Sequence, residues 1–401
     1  MSEDKLKVLF ITPYFRPYIG GIERAIEQLS YALLNTKTVA KIGVLTTKYS
    51  FPRIPHPEWS DQETTSGHIS IFRLNGHPKH ALPIYSCPLV WFSPFKIKQY
   101  LEAFEPDVIH LVGDGWFWGN LWTWFYFRKK ATFIFTPSYH PLPLRKSWLK
   151  IINSILSRLV DKVVPLTETE ATYLQKDYHV PISKQQVIAW GATSLSYFTE
   201  PPSDDNSLLK IVSVGRLGKH KGQRWLLDVY RKAIPSFNRP TNLILVGGDE
   251  GQKDFLQKIV VQHNIVDRVM FTGELEDSKL SEIYWSSDIF ALFSQYEAFG
   301  LVFLEAMLSK LPVLTHDVGS IKEILKCGAV ISDAFDETAA ISSLIKLVND
   351  NEYRIALGQQ AYNYAKSNFS WESIAAEYLY IYKSCLLYTS DAADERSSVD
   401  L

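Results

Sequence analysis

The strongest constraint on the fold of this chain is an alternation of short apolar runs with helical segments, which occurs twice. In the first half the runs are rich in Val, Ile and Phe: KVLFIT, KIGVLTT, HISIFRL, DVIHLV, TFIFTP, KVVPLT and QVIAW. The second half repeats the scheme with KIVSV, NLILVG, RVMFTG, DIFALFS, PVLTH and AVIS. Continuous apolar runs of this length are typical of strands covered by helices on both faces. The sequence therefore predicts an α/β fold with two doubly wound sheets.

Helical segments separate these runs. One apolar stripe recurs at spacings of four, three and four residues: Ile22, Ile26, Leu29 and Leu33. This spacing places the four side chains on one face of a helix. Further helices are predicted over Gln223 to Ala233 and Leu301 to Leu308. Ligands of doubly wound sheets bind beyond the carboxyl ends of the strands, so we expect functional motifs in loops after strands, facing a cleft between two domains.

A linker is predicted between the two halves, where the sequence TEPPSDDNS from Thr199 to Ser207 combines two prolines with acidic residues. The net charge changes sign there, from +6 over residues 1–200 to −7 over residues 201–401. We therefore predict a first Rossmann-like domain over residues 1–200 and a second over residues 208–384. The last helix of the second domain is expected to pack back on the first.

The segment 385–401 differs from the rest of the chain, because it is polar and without periodicity. Its residues CLLYTSDAADE resemble the translation of a transposon-end adapter used to prepare sequencing libraries. We predict a non-native tail that interrupts the preceding helical pattern, in which Cys385 has no functional role. A frayed native terminus is the alternative.

The composition excludes several classes of protein. Hydrophobic residues make up 46% and charged residues 21%, which excludes a disordered or rod-like chain. The three cysteines are too far apart for a disulfide framework or a paired zinc knuckle. The amino-terminal MSEDKLKVLFITP lacks the apolar stretch of a signal peptide, and no window is apolar over a membrane-spanning length, so we expect a cytoplasmic protein. A net charge of −1 without a recognisable module argues against nucleic-acid binding.

Two glycine-containing loops follow predicted strands. Gly20 and Gly21 come just before the first helix, where close backbone approach and helix-terminal N–H groups attract anions. An ordinary strand-to-helix turn is the alternative.

The segment VGRLGKHKG, residues 214–222, places Arg216 and Lys221 after a strand of the second half. A planar guanidinium fork beside a compact ammonium group suits a diphosphate.

A third motif, EAFGLVFLE, separates Glu297 from Glu305 by seven residues. Eight residues on a continuous helix would leave the two side chains about 80° apart. We therefore predict that Glu297 lies in a loop, that Gly300 opens a helix, and that Glu305 lies in its second turn. The N–H groups of Phe299, Gly300 and Leu301 are then expected to face the anion that the basic loop binds.

Taken together, these motifs resemble those of the retaining, nucleotide-sugar-dependent glycosyltransferases of family four, which have the two-domain GT-B fold. The resemblance covers about residues 6–384 and includes further matches at FTG, residues 271–273, and EAM, residues 305–307. It implies a hexosyltransferase that acts on a glycan or lipid-linked acceptor in cell-envelope or polysaccharide synthesis, with no metal or other cofactor. A non-catalytic nucleotide-sugar-binding subunit of the same fold is the alternative.

The resemblance also implies roles for individual residues. Gly215, Arg216 and Lys221 bind the donor diphosphate, with Gly20, Gly21 and the amides of residues 299–301 completing the site. Glu297 contacts the donor sugar and Glu305 the ribose hydroxyls, and Glu323 matches a family glutamate near the site. Glu297, and His140 in FTPSYHP, are the candidate catalytic residues, with His140 as the family histidine near the transferred sugar. Many relatives carry a second histidine where this chain has Ser138, so either position is open for that role.

The stretch from Gly115 to Val160 contains seven basic residues and no acidic one. Within it, one side of a helix is predicted to carry Trp148, Ile151, Ile152, Ile155 and Leu159. Lys146, Lys150 and Arg158 fall on another side, as in a helix that lies on a membrane interface. We expect peripheral attachment to the anionic inner face of a membrane, with a core-facing helix as the alternative.

Overall fold

The structure, a computed structural model, describes residues 5–18, 20–50, 54–65, 67–75, 93–113, 117–139, 147–193 and 208–399. The chain divides into two compact units, Met1–Gly191 together with Trp371–Leu401, and Ala192–Ser370. The predicted linker, residues 199–207, lies outside the described residues. The division into units assigns it to the second unit.

The first unit is built on a seven-stranded sheet with the order β5-β6-β2-β1-β7-β8-β9. Its strands, with a separate antiparallel pair β3 and β4, are β1 (Leu6–Ile11), β2 (Val39–Thr47), β3 (Tyr49–Ser50), β4 (Ile54–Pro55), β5 (Gln62–Thr64), β6 (Ile69–Leu74), β7 (Val108–Val112), β8 (Thr132–Thr136) and β9 (Lys162–Val163). The helices are α1 (Gly21–Asn35), α2 (Pro94–Phe104), α3 (Phe117–Phe127), α4 (Ser147–Leu159) and α5 (Glu168–Tyr178). All pairings in the large sheet are parallel except that of the edge strand β5 with β6.

The second unit contains a six-stranded parallel sheet with the order β12-β11-β10-β13-β14-β15. Its strands are β10 (Leu209–Val214), β11 (Thr241–Val246), β12 (Val269–Gly273), β13 (Ile289–Ala291), β14 (Val313–His316) and β15 (Ala329–Ser332). The helices are α6 (Gln223–Ala233), α7 (Lys253–Gln262), α8 (Asp277–Trp285), α9 (Leu301–Leu308), α10 (Ile321–Ile324), α11 (Glu337–Asn349) and α12 (Asn351–Asn368). The two doubly wound sheets and the bounds of α6 and α9 confirm the sequence predictions.

Helices pack on these sheets through the apolar stripes read from the sequence. On α1, Ile26, Leu29 and Leu33 are buried. In the second unit, Leu227 and Tyr230 of α6 join a buried cluster with Ile211 and Leu243 of the neighbouring strands. Burying each such side chain contributes about 1.5 to 3 kcal/mol, so this packing supplies the main stabilisation of both units.

Two predicted strands differ from the structure. QVIAW, residues 186–190, contains no strand, although the amides of Gln186 and Ile188 donate to Val163 O and Pro165 O, both at 3.0 Å. Its apolar side chains Ile188 and Trp190 are nevertheless buried. In DIFALFS the strand ends at Ala291. The amide of Leu292 still donates to Leu314 O of β14 at 3.1 Å, and Phe293 and Ser294 lead into the loop that follows.

The last helix, α13 (Trp371–Val399), belongs to the first unit, which holds it through a buried polar contact. His110 of β7 lies within hydrogen-bond distance of Tyr382 Oη through Nδ1, at 2.8 Å, and of Thr136 Oγ1 through Nε2, at 2.9 Å. Complete burial lowers the pKa of His110 to about 3, so this imidazole is neutral at pH 7. A neutral ring with both nitrogens engaged fixes the helix on the sheet.

The helix also corrects one prediction about the carboxyl-terminal segment. The helix does not stop before Cys385 but continues to Val399, and Cys385 itself is buried. Residues 385–399 contain neither glycine nor proline, and Ala, Asp, Glu and Arg there are compatible with a helix. Absence of apolar periodicity was therefore a poor criterion for a break. Among the described residues, no helix has the length and apolarity needed to cross a bilayer.

Candidate active site

The basic loop after β10 is pressed against the loop after β13, and Gly222 makes this possible. Gly222 has φ of +69°, and a Cβ atom at this position would lie 1.8 Å from the carbonyl oxygen of Phe293. The amide of Gln295 also donates to His220 O at 2.8 Å. The two loops are therefore in backbone contact, which places the side chains of VGRLGKHKG beside those of the EAFG segment.

Lys221 and Glu297 form an ion pair across this contact. Lys221 Nζ lies 2.6 Å from Glu297 Oε1, and Ser294 Oγ donates to the same oxygen at 2.7 Å. The side chain of Glu297 is 8% exposed and that of Lys221 is 20% exposed. The carboxylate is thus largely shielded from water, and the lysine side chain is partly exposed.

The backbone around Glu297 is fixed from a second direction by the loop after β14. Gly319 has φ of +57°, and a Cβ atom there would lie 2.1 Å from Glu297 O. The amide of Ser320 donates to the same carbonyl at 3.2 Å. Glu323, which is half-buried, follows in the short helix α10. The sequence GSIKE therefore supports Glu297 through backbone contacts.

Glu305 lies on α9, as the sequence predicted, while Glu297 precedes this helix. Gly300 has φ of +75° and is the N-cap of α9. Glu305 is buried, and Tyr284 Oη donates to its Oε2 at 3.1 Å. Phe299 is also buried, with its ring against Phe369. The residues that the sequence predicts to contact the donor therefore lie in the loop 297–300 and in the first turns of α9.

Arg216, in the same basic loop, is paired with a carboxylate that the sequence did not single out. Arg216 Nη1 donates to Glu250 Oε1 at 3.2 Å. The Nδ1 atom of His220 lies 3.5 Å from Glu250 Oε2. Glu250 belongs to VGGDEG, which alone matches no nucleotide-binding pattern. Only the parallel pairing of β10 with β11 brings this segment to the basic loop.

His316 is a further residue that sequence reasoning missed. Its Nε2 lies 2.7 Å from Ser294 O, and its Nδ1 accepts the Phe335 amide hydrogen at 3.2 Å. These partners require the neutral tautomer with hydrogen on Nε2. Burial lowers the pKa of His316, which keeps it in this form. It holds the Ser294 segment and thereby the hydroxyl that donates to Glu297.

The candidate residues of the first unit are less fully defined. The amide of Gly20 already donates to Glu23 Oε2 at 2.9 Å, and a Cβ atom on Gly20 would lie 2.6 Å from that oxygen. Gly21 begins α1. Ser138 is buried with φ of +49°, in the left-handed region. His140 lies outside the described residues.

Comparison with known proteins identifies the family. Residues 19–192 match the model of Glycosyltransferase Family 4, and residues 200–364 match that of Glycosyl transferases group 1. These two matches together cover most of the chain. The chain belongs to the group 1, family 4 glycosyltransferases. The resemblance inferred from the GG, GR...KG and Glu/seven/Glu motifs is confirmed.

Curated relatives and solved structures agree with this family. The GDP-mannose:cellobiosyl-diphosphopolyprenol alpha-mannosyltransferase of Komagataeibacter xylinus is 23% identical, over 96% of this chain and 95% of that protein. Several other curated glycosyltransferases match over about half of their own length, between 45% and 53%.

Two solved structures show the fold. Sucrose-phosphate synthase from Thermosynechococcus elongatus superimposes with a TM-score of 0.75 at 20% identity, covering 96% of this chain and all (100%) of that one. Anabaena HepE, in complex with UDP and glucose, gives a TM-score of 0.73 at 18% identity, covering 94% and 100%. This glycosyltransferase therefore has the GT-B fold that the motifs implied.

Proposed function

We propose that this glycosyltransferase transfers a hexose from a nucleotide-sugar donor, with retention of configuration and without a metal ion. The acceptor is a glycan or a lipid-linked sugar used in cell-envelope or polysaccharide synthesis. The observation that carries the proposal is the ion pair of Lys221 with Glu297, which lies just before α9 in a loop that is in backbone contact with the loop of Arg216.

The chemistry requires stabilisation of a leaving diphosphate as the anomeric bond breaks. Arg216 and Lys221 supply positive charge, and the amides at residues 299–301 add the positive end of a helix. Electrostatic stabilisation of this kind replaces the role that a divalent cation has in other transferases. The acceptor hydroxyl attacks on the face from which the diphosphate departs, and the leaving phosphate accepts its proton.

The carboxylates have binding roles in this proposal. Glu297 contacts hydroxyls of the donor sugar, and Glu305 contacts those of the ribose. Gly20, Gly21, Gly215 and His140 are assigned to the donor or to the transferred sugar as the family resemblance implies. Since Glu297 is already paired with Lys221, this arrangement differs from a hydrolase, in which two carboxylates flank the scissile bond.

Transfer is expected to proceed with excess chelator and to require Arg216. Incubation with UDP-glucose and GDP-mannose, each with an extract of polyprenol-linked sugars, should give a glycosylated product in EDTA. Losing a hydrogen bond to a charged group costs about 1.5 to 3 kcal/mol, so Arg216→Ala should transfer roughly 10- to 150-fold more slowly. Proton NMR of the product reports the anomeric configuration.

Three results would contradict this reading: rescue of an EDTA-treated enzyme by manganese, an inverted product, or wild-type transfer by Arg216→Ala. Donor binding without any transfer would instead favour the non-catalytic subunit. Glu282→Gln is a suitable control, because Glu282 is exposed on α8 in the same unit.

We further propose that the first unit attaches to an anionic membrane that carries the acceptor. Among the described side chains of α4, those of Asn153, Leu156 and Ser157 are buried. Ile151 and Ile155 are 61% and 43% exposed. The expected apolar stripe therefore faces away from the core at these two positions, which favours an interfacial helix over a core-facing one.

The adjoining helix α3 supplies apolar and basic groups. Trp124 Nε1 donates to Leu159 O at 3.0 Å, which joins α3 to α4. Phe125 is 54% exposed, and Arg128, Lys129 and Lys130 are exposed just beyond it. Each such cation near an anionic leaflet contributes about 1 kcal/mol, so this surface suits reversible attachment to an anionic bilayer. Trp148, Lys146 and Lys150 have side chains outside the described residues.

Vesicle sedimentation tests this attachment. The wild-type protein should sediment with phosphatidylglycerol vesicles at low salt and much less at high salt or with phosphatidylcholine. The double variant Ile151→Glu, Ile155→Glu should stay in the supernatant. Ile355→Glu, at a position 62% exposed in the second unit, is the matched control and should behave as the wild type. Salt-independent recovery of the wild type in the supernatant from both lipids would rule the attachment out.

A further inference from the structure

The basic loop after β10 contains a further titratable group, His220, which the donor-site motif does not include. His220 stands directly before Lys221, and its side chain is 44% exposed. Four charged groups act on its imidazole: Arg216 and Lys221 from the same loop, Glu250 from the loop after β11, and Glu297 from the loop after β13. Two cations and two carboxylates thus surround a ring that is itself able to become a cation.

Glu250 is held rigidly against this loop. The amide of Leu217 donates to Gly248 O at 2.8 Å, and the amide of Glu250 donates to Leu217 O at 3.1 Å. A Cβ atom on Gly218 would lie 2.3 Å from Glu250 Oε2, so a side chain at residue 218 would exclude the carboxylate. The position of the carboxylate beside Arg216 and His220 is therefore set by backbone pairing.

One oxygen of this carboxylate is incompletely satisfied. Oε1 accepts a hydrogen bond from Arg216, while Oε2 is shielded from solvent and has no hydrogen-bond partner among the described residues. The nearest imidazole nitrogen, His220 Nδ1, lies 3.5 Å away. Leaving a buried acceptor unpaired costs about 1 to 3 kcal/mol. Protonation of Nδ1 would give Oε2 the donor that it lacks.

A bound diphosphate changes the charge balance around His220. In this structure, burial and the neighbouring charges of Lys221 and Arg216 lower the pKa of His220, against the opposing effect of Glu250. An anion bound by Arg216 and Lys221 would offset the positive charges that disfavour the imidazolium. The same anion would then be attracted to a third positive charge.

We propose that His220 is a third cation of the donor-phosphate site, which takes up one proton from solvent at Nδ1 when a diphosphate binds, with Glu250 Oε2 accepting that hydrogen. The inference rests on the proposed function, because it assigns the diphosphate to Arg216 and Lys221. The charge of His220 acts on the phosphate. Glu250 is a positioning residue for the side chains of Arg216 and His220.

The decisive measurement is the NMR titration of the His220 Cε1 proton, assigned by comparison with His220→Gln. Saturating inorganic pyrophosphate should raise the pKa of His220 by about one unit, a tenfold shift in its protonation equilibrium, relative to sodium chloride of equal ionic strength. In Glu250→Gln the pKa should be lower than in the wild type, both with and without pyrophosphate. Glu282→Gln should match the wild type.

A pKa of His220 that pyrophosphate does not change, or that Glu250→Gln leaves at the wild-type value, would overturn the inference. The transfer assay separates this failure from failure of the proposed function. If the wild-type enzyme is active but pyrophosphate does not change the pKa of His220, only the assignment of His220 as a third cation fails. A responsive His220 in a protein without transferase activity would instead leave an anion site without the proposed catalysis.

Discussion

The Gly222→Ala variant should lose most of the stability of the second unit and all measurable donor binding. The added Cβ atom would lie 1.8 Å from Phe293 O and 2.7 Å from its carbonyl carbon, which are backbone atoms that no rotamer change can move. Positive φ adds about 1 to 2 kcal/mol of strain for a residue with a Cβ atom. We expect a total loss of at least about 3 kcal/mol, at the upper end of what single mutations usually cost.

Gly251 provides a matched control for this prediction. It has φ of +81°, but a Cβ atom there would meet nothing within 4 Å. Gly251→Ala should therefore show the backbone strain alone, about 1 to 2 kcal/mol. Urea unfolding of both variants measures the difference, and a donor-induced thermal shift reports the site. Equal losses in the two variants would mean that contact between the loops does not depend on Gly222.

The architecture was predictable because the relevant signals are local. Strands buried on both faces need continuous apolar runs, and helices that cover them need stripes at helical spacing. The helix Gln223–Ala233 illustrates this, since its predicted and observed bounds agree. QVIAW is an exception. Burial of Ile188 and Trp190 requires an apolar pattern, and the amides of Gln186 and Ile188 donate to carbonyls of β9 and the residues after it, but the segment forms only these isolated contacts and no strand.

The site was predictable only in part. Arg216, Lys221 and Glu297 belong to spaced motifs whose residue types match the chemistry of a diphosphate and a sugar. Glu250 and His316 gain their roles from tertiary contacts, because parallel strands bring together loops that are far apart in sequence. A glutamate in a turn and a histidine at a strand end have no local feature that distinguishes them. The sequence alone does not show which loops lie next to each other at the carboxyl edge of the sheet, and the roles of Glu250 and His316 depend on that.

Variants of the ion pair between Lys221 and Glu297 should differ in their effects on the free energy of unfolding and on transfer. Lys221→Ala takes away the ammonium group that lies 2.6 Å from the Glu297 carboxylate, which is 8% exposed, while Ser294 Oγ still donates to that carboxylate. Removing one partner of a fully buried pair costs about 3 to 5 kcal/mol. Lys221 is 20% exposed, so we expect a cost near the lower end, together with loss of transfer. Glu297→Gln should destabilise less, because the side chain of the remaining Lys221 is partly exposed, but it should also abolish transfer.

The double variant Lys221→Met, Glu297→Gln distinguishes the two contributions. It removes both charges while keeping side chains of similar length, so no uncompensated carboxylate remains in the site. Replacing a buried ion pair by neutral groups is often close to neutral for stability. The unfolding free energy should therefore recover to near the wild-type value, while donor binding and transfer remain absent. Wild-type transfer by this variant would assign the pair to the fold alone, whereas failure to recover stability would show that the Lys221 to Glu297 attraction itself holds the two loops together.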